Sequence, residues 1–204
     1  MSSHTELLTP AEAAVVAGVT VRDINRVIDE HIVPESLYSL EGGRWLDRSA
    51  CTYVRFYFHA AKRLTADERT RVIRVLSAKT PRQWKVRHEF LTIDLDGFNA
   101  ETEARHAELK RARDLVVEDP EILGGTPVIR GTRIPVHDVA RSVIVGVGLE
   151  RLKAAYPGLD DDQIELASIY AEANPVRGRP RERMGSSPGL KLISTRTVAR
   201  RPRP

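Results

Sequence analysis

Basic and amide side chains recur at helical spacing near the N-terminus, in a pattern suited to contact with nucleic acid. Arg22 and Arg26 stand four residues apart, and Asn25 lies between them. Residues four apart are neighbours on one face of a helix, so both guanidinium groups would point the same way. Arginine recognises phosphates and guanine edges, and asparagine recognises adenine edges. These residues, with Thr20 before them and Arg44 downstream, are the candidate DNA contacts.

A solvated, charged helix face is the competing interpretation of this segment. Asp23 and Asp29 lie within the same stretch and reduce its positive charge. Carboxylates oppose the attraction to phosphates that supplies most nonspecific affinity for DNA. The residue types alone leave both interpretations open.

Helix caps indicate the elements that would position these side chains. Thr9, followed by Pro10 and then Glu12, forms a capping box that predicts a first helix ending near Gly18. Thr20 with Asp23 predicts a second helix, and its apolar positions share one face: Val21, Ile24, Val27 and Ile28. Two short helices joined by a tight turn predict a helix-turn-helix.

A hairpin and two more helices are predicted to follow. Apolar alternation interrupted by Gly42-Gly43 predicts a hairpin over residues 37–46, and its turn would carry Arg44. Asp47 is expected to cap a third helix, and Thr65 a fourth that extends to about residue 78.

This order of elements resembles the winged helix-turn-helix of MerR-type proteins over residues 7–78. The resemblance implies that residues 1–80 form a DNA-binding domain whose second helix meets DNA and whose hairpin serves as the wing.

Residues 81–114 are predicted to be a linker with one strand, near 90–95, and one charged helix, near 100–112. Asp94 and Asp96 alternate on the strand-like segment and could be taken as metal ligands. Because no third ligand is fixed by the spacing, we interpret them as solvated carboxylates and predict neither a metal nor a cofactor.

A more specific string follows, reading DPEILGGTPVIRGTRIPV from Asp119 to Val136. It is similar to the hallmark of a small bacterial domain, domain of unknown function 433. The similarity continues at Gly148, Tyr156, Pro157, Leu159, Ile164, Ala167, Tyr170 and Ala171. The resemblance implies that residues 115–174 form a compact helical unit with a short hairpin, of a kind common in antitoxins paired with PIN-domain ribonuclease toxins.

The residues of this segment predict its elements directly. Short strands are expected at 115–117, 128–129 and 134–136, and helices near 137–147, 150–156 and from Asp160 to before Asn174. His137-Asp138 has no partnered nucleophile, and the glycine spacing matches no phosphate-binding loop, so an enzyme is not predicted.

The last helix is predicted to pack and not to bind DNA. It begins with three aspartates and carries Glu165 and Glu172, which would repel phosphates. A packing stripe is offered instead by Leu159, Ile164, Ala167 and Ala171. We assign this helix to scaffolding or self-association.

The C-terminal segment, residues 175–204, is strongly basic. It holds nine lysines and arginines against one acidic residue, whereas residues 1–174 carry a net charge of −4. Its arginine, proline, glycine and serine content cannot bury a core, so we expect it to be disordered in the free protein.

Two functions suit this tail, beside the plain alternative of a solubilising segment. The string Arg177-Gly178-Arg179-Pro180-Arg181 resembles the core of an AT-hook, which lies in a narrow minor groove. An apolar cluster flanked by arginines suits an acidic, apolar pocket on a partner. That second set consists of Leu190, Leu192, Ile193, Arg196, Arg200 and Arg201.

The composition argues against a membrane protein, a secreted protein and a disulfide-stabilised protein. No apolar run approaches the roughly 20 residues that cross a bilayer; the N-terminus has no basic n-region, and the single cysteine cannot form an internal disulfide. We expect a cytoplasmic, mainly α protein with no membrane segment.

The front, the central domain and the tail together resemble a VapB-type antitoxin of the VapBC class. The resemblance implies a non-enzymatic antitoxin and autorepressor whose partners are a PIN-domain ribonuclease toxin and operator DNA, as a homodimer or a higher hetero-oligomer. The alternative is a MerR-like transcription regulator without a toxin partner.

Overall fold

The computed structural model describes residues 6–79, 84–88 and 91–176, and the fold is mainly α, as predicted. The α-helices in these ranges are α1 (Pro10–Ala17), α2 (Val21–Asp29), α3 (Ala50–His59), α4 (Ala66–Ser77), α5 (Asp96–Leu115), α6 (Val136–Ile144), α7 (Leu149–Ala155) and α8 (Asp161–Ala173). The strands are β1 (Leu7–Leu8), β2 (Tyr38–Ser39), β3 (Trp45–Asp47), β4 (Lys85–His88), β5 (Leu91–Asp94), β6 (Val116–Val117) and β7 (Val128–Ile129). No helix in these ranges has both the length and the hydropathy needed to span a bilayer.

The predicted capping boxes of α1 and α2 are both present. The backbone N–H of Glu12 donates to the Thr9 hydroxyl, and that of Asp23 donates to the Thr20 hydroxyl. Gly18 ends α1 with a φ of +65°, a conformation that disfavours side chains. One detail of the predicted apolar face is wrong, because Val21 is 42% exposed. Val21 is the first residue of α2, and the core covers only the later apolar positions of this helix, Ile24, Val27 and Ile28.

A three-stranded antiparallel sheet, in the order β1-β3-β2, lies beside these helices. Tyr38 pairs with Leu46 in the predicted hairpin, and Leu7 pairs with Asp47 through a strand that the sequence did not predict. The prediction that Asp47 caps α3 is wrong. Asp47 ends β3, and its carboxylate accepts a hydrogen bond from the backbone N–H of Ser49, one residue before α3 begins.

The first hydrophobic core joins α1 to α4 with this sheet. Fully buried side chains from several elements meet there, including Leu8, Ile24, Leu46, Tyr53 and Ile73. Cys51 on α3 lies in the same core, and burial raises the pKa of its thiol, so this cysteine is held in the neutral form.

Helix α5 belongs to two cores. The segment 81–114, predicted as a linker, contains the antiparallel pair β4-β5 and most of this 20-residue helix. Leu95 and Leu109 are buried in the first core, and Ala112 is buried in the second. The charged helix is longer than predicted, and its added ends carry Phe98 and Leu115, which pack partly buried against the first and the second core. Before it, the Lys85 Nζ lies 3.0 Å from Asp94 and 2.9 Å from Asp96, so these carboxylates pair with a lysine.

The second core is formed by α5 to α8 with the short sheet β6-β7. Ile129, Val136, Val139 and Ala167 are fully buried in it. The predicted strand at 134–136 is wrong, since only a single bridge joins Val128 to Pro135 and Val136 already begins α6.

The predicted packing stripe of α8 is used within the chain. Leu159, Ile164 and Ala167 are buried against α5 and α6, so they are not available for self-association. Exposed apolar side chains instead lie at the end of α6 and the start of α7: Val143, Ile144, Val145 and Leu149.

An ion-pair cluster fixes the N-terminal segment to α5. Glu6 lies 2.7 Å from the His106 Nε2 and 2.9 Å from the Arg113 Nη1, and Arg113 also pairs with Glu12 at 2.7 Å. Burial by itself raises the pKa of Glu6, but Arg113 and His106 outweigh it and hold this pKa below its ordinary value.

Replacing Glu6 with glutamine should therefore lower stability at neutral pH and have less effect in acid. A carboxylate with a lowered pKa stabilises the fold above its unfolded pKa, about 4.3, and this contribution disappears as the pH falls through the folded pKa. Since Glu6 is partly exposed, we expect a loss of about 1 kcal/mol or less at pH 7. Urea unfolding at pH 7 and at about pH 3 measures the difference. Glu172→Gln, on an exposed face of α8, is the control; an E6Q deficit of equal size at both pH values would contradict the prediction.

Candidate functional site

The residues predicted to contact DNA lie on the exposed side of α2 and on the neighbouring hairpin turn. Arg22 and Arg26 are exposed and Asn25 is half-buried, while Ile24 and Val27 face the core. Thr20 is exposed, but its hydroxyl is engaged in the capping box, donating to Asp23 at 2.7 Å. Its role here is to begin α2.

The hairpin turn is held against α2 by Arg44. Its Nη1 donates to the Asn25 Oδ1 at 3.2 Å, and its Nη2 lies 2.8 Å from the Asp29 Oδ1. Gly42 and Gly43 allow the turn, with φ values of +67° and +150°. The structure thus brings Thr20, Arg22, Asn25, Arg26 and Arg44 to one surface, which we call the α2–hairpin face.

Carboxylates on the same face balance its positive charge. Arg26 pairs with Glu30 at 3.0 Å, and Glu30 raises the pKa of the Arg26 guanidinium. Arg44 pairs with Asp29, whereas Arg22 makes no ion pair within the described residues. A phosphate approaching this face would meet Arg22 directly and would compete with carboxylates for the other two arginines.

The remaining predicted binding residues lie in the tail, outside the described residues. These are Arg177, Gly178, Arg179, Pro180 and Arg181 of the AT-hook-like string, and Leu190, Leu192, Ile193, Arg196, Arg200 and Arg201 of the toxin-binding set.

A second candidate site is a cleft of about 820 Å³ between the N-terminal helices and the second core. The starts of α1, α2 and α6 and the end of α8 border it, and the exposed Val21 lies on its wall. Such a volume is in the range of sites that hold a small molecule or a short peptide. We call it the interhelix cleft.

The polar groups of the interhelix cleft lie close together, and its lining within the described residues includes no lysine or arginine. The Tyr170 hydroxyl donates to the Glu118 Oε1 at 3.2 Å, and burial together with Glu118 raises the pKa of Tyr170 to about 12. His137 lies beside Tyr170, with ring centroids 6.0 Å apart, and burial lowers its pKa. Burial thus disfavours a positive charge on His137, and the set of a carboxyl group, a phenol and an imidazole can hold a cation.

Comparison with known proteins yields two matches. Residues 116–171 match a family described as protein of unknown function (DUF433). Across 213 aligned residues the chain is 48% identical to the uncharacterized protein y4eO of Sinorhizobium fredii (strain NBRC 101917 / NGR234), covering 98% of this chain and 96% of that protein. The chain belongs to the y4eO family. No solved structure matches it.

In this member of the y4eO family, the DUF433 segment corresponds to the second core. The DUF433 domain predicted from the sequence is therefore confirmed. The match begins at Val116, the first residue of β6, and ends at Ala171 within α8. The likeness to y4eO covers nearly the whole chain, so it also includes the α2–hairpin face and the tail.

Sequence reasoning missed the contacts that join distant parts of this y4eO-family chain. Arg113 lies 107 residues after Glu6, and Glu118 lies 52 residues before Tyr170. No local motif connects such pairs. Sequence reasoning also missed the interhelix cleft, because it assigned Val21 to the packed face of α2 and left His137 without a role.

Proposed function

We propose that this chain is a non-enzymatic antitoxin that represses its own operon. In this proposal the α2–hairpin face binds operator DNA, and the tail neutralises a PIN-domain ribonuclease toxin. The observation that carries the DNA-binding part is the contact of Arg44 with Asn25, which presents a hairpin turn and a helix as one surface with exposed arginines.

The geometry of this face suits a helix in the major groove with a wing on the backbone. Arg22 and Arg26 are one helical turn apart and exposed, so both can reach base edges or phosphates. Because Asp29 and Glu30 hold Arg44 and Arg26 in the free protein, DNA must displace these carboxylates. Such competition weakens binding to arbitrary phosphates and favours sites that also satisfy Asn25 and Arg22.

The toxin-binding part rests on the resemblance to VapB-type antitoxins, in which the DUF433 segment takes part, and on the composition of the tail. The resemblance to VapB-type antitoxins implies that such a domain accompanies a segment that enters the toxin. Leu190, Leu192 and Ile193 would anchor the tail in an apolar groove, while Arg196, Arg200 and Arg201 would pair with metal-binding carboxylates of the ribonuclease. We expect a homodimer of this chain or a higher hetero-oligomer with the toxin.

Coexpression tests this proposal against its alternative. The chain is coexpressed with a PIN-domain ribonuclease encoded by a neighbouring reading frame. Cell growth and RNA cleavage are then measured. Relief of growth arrest, with repression of a reporter driven by the upstream region, supports the antitoxin. Repression without any effect on a ribonuclease would favour a MerR-like regulator that has no toxin partner.

Replacing Asp29 with asparagine should strengthen DNA binding. The amide keeps a hydrogen-bond acceptor near Arg44 but removes the charge that competes with phosphate. We expect about three- to tenfold tighter binding to nonspecific duplex DNA at low salt, measured by fluorescence anisotropy, with the gain shrinking as salt is added.

Asp67→Asn is the matched control, since Asp67 is an exposed carboxylate in the first turn of α4. It should leave the affinity unchanged. If D29N and D67N bind DNA like the native chain, the α2–hairpin face is not in contact with the phosphates.

A further inference from the structure

The interhelix cleft has a marked charge bias. Its lining within the described residues includes Glu118 and Asp138 but no lysine or arginine. His137 adds no positive charge at neutral pH, because burial lowers its pKa. Two charged groups lie near the cleft but outside its lining. Arg141, one turn beyond Asp138 on α6, is positive, and Glu12, which acts on Tyr170, is negative. These two charges offset each other, so the cleft keeps its negative bias. The cleft suits a positively charged occupant with apolar parts.

The chain itself delivers such an occupant to the edge of the cleft. Pro175 and Val176, the last described residues, line it, and the next seven residues read Arg-Gly-Arg-Pro-Arg-Glu-Arg. Extended backbone advances at most about 3.3–3.6 Å per residue, so residues 177–183 could reach roughly 23 Å from Val176. That distance is enough to cross the cleft.

We propose that residues 177–183 dock in the interhelix cleft of the same chain, with arginines on Glu118 and Asp138. Proline and glycine in the segment match a wall formed largely by small residues and prolines, among them Pro10, Pro127 and Pro135. Docking places positive charge beside Val21 and hence next to Arg22 on the α2–hairpin face. This proposal is independent of the toxin, because it concerns only contacts within one chain.

Limited trypsin digestion of the full chain tests the docking. Trypsin can cut after Arg177, Arg181 and Arg183 near the cleft, and after Lys191 and Arg196 further along the tail, which serve as internal references. Since proteolysis follows the population of the open form, docking should slow the proximal cuts about fivefold or more relative to the distal ones. Equal rates at the two groups of sites would overturn the proposal.

Variants on both sides of the contact identify its cause. Glu118→Gln with Asp138→Asn should bring the proximal cuts to the distal rate, while the glutamine still accepts the Tyr170 hydrogen bond. Glu121→Gln with Glu150→Gln, at exposed sites outside the cleft lining, should leave protection intact. Protection that persists after the cleft carboxylates are neutralised would contradict docking there.

A tail variant guards against a folding defect in the cleft variant. Arg179 precedes Pro180 and is not a trypsin site, so Arg179→Ala removes a docking charge without removing a cut. It should accelerate cleavage after Arg181 and Arg183. Protection in the native chain should not depend on protein concentration; protection that increases with concentration would mean that a second copy's tail fills the cleft and would overturn the proposal.

Discussion

Under the proposed function, removal of residues 177–204 is expected to abolish inhibition of the PIN-domain ribonuclease partner while leaving the folded body intact. Both hydrophobic cores end at or before Ala173, so the deletion takes away no buried side chain that the structure describes. The deletion removes the apolar anchor and the arginines that would meet the acidic pocket of the toxin. Charge-assisted pairs contribute roughly 1.5–3 kcal/mol each, so the loss of several weakens binding by orders of magnitude.

Ribonuclease activity of the toxin, mixed with full-length or truncated chain, measures this effect, and thermal unfolding verifies the body. Full-length chain with Arg200→Ala and Arg201→Ala separates the arginines from the apolar anchor, and should lose part of the inhibition. Equal inhibition by all three proteins would place neutralisation in the folded body. If truncation spares inhibition and weakens binding to A-tract DNA, the AT-hook interpretation of Arg177–Arg181 is favoured instead.

Loss of operator binding is the expected result of replacing Arg22 and Arg26 together by alanine. An arginine that reads a base typically contributes about 1–3 kcal/mol of binding free energy, and its removal relaxes sequence preference. We expect Arg22→Ala to have the larger single effect, because Arg26 must first leave Glu30 whereas Arg22 has no ion pair among the described residues. The measurement is anisotropy with the upstream DNA at physiological salt.

A matched pair on α4 provides the control for this experiment. Arg71 and Arg74 are exposed and about one turn apart, so replacing both with alanine removes the same charge away from the α2–hairpin face. Comparable losses in both double variants would mean that net charge alone governs binding. Unchanged binding by R22A/R26A would show that this face does not contact the operator.

Local rules predicted the elements whose causes are local. The capping boxes of Thr9, Thr20 and Thr65 each lie within four residues, and each was found at its predicted place. The starts of these helices could be predicted from the caps, because a cap side chain accepts hydrogen bonds from the first backbone N–H groups, which have no acceptor within the helix.

The failures have non-local causes. The alternation at 134–136 resembled a strand, but a strand needs a partner, and Val128 offers only one bridge before α6 begins. Aspartate is a residue type that commonly caps helices, but Asp47 pairs with Leu7 and so belongs to the sheet. The five residues of the α2–hairpin face were predicted together because helical spacing and a glycine turn determine their positions. Of their carboxylate partners, Glu30 lies four residues after Arg26 on the same helix, so that pair is local. The Arg44–Asp29 pair depends on tertiary contact and could not be inferred.

The placement of α5 in both cores has a consequence for degradation of the chain by a protease that unfolds its substrate. A helix of 20 residues extends about 30 Å, and this one carries Leu109 in one core and Ala112 three residues later in the other. An unfolding machine that seizes the basic C-terminal end must first extract α8, which packs on α1, α5 and α6. Its removal uncovers α5 and thereby loosens the support of α1, so the half with the α2–hairpin face should not outlive the DUF433 half. Turnover of the protein would then remove both halves in a single event, without leaving a folded fragment.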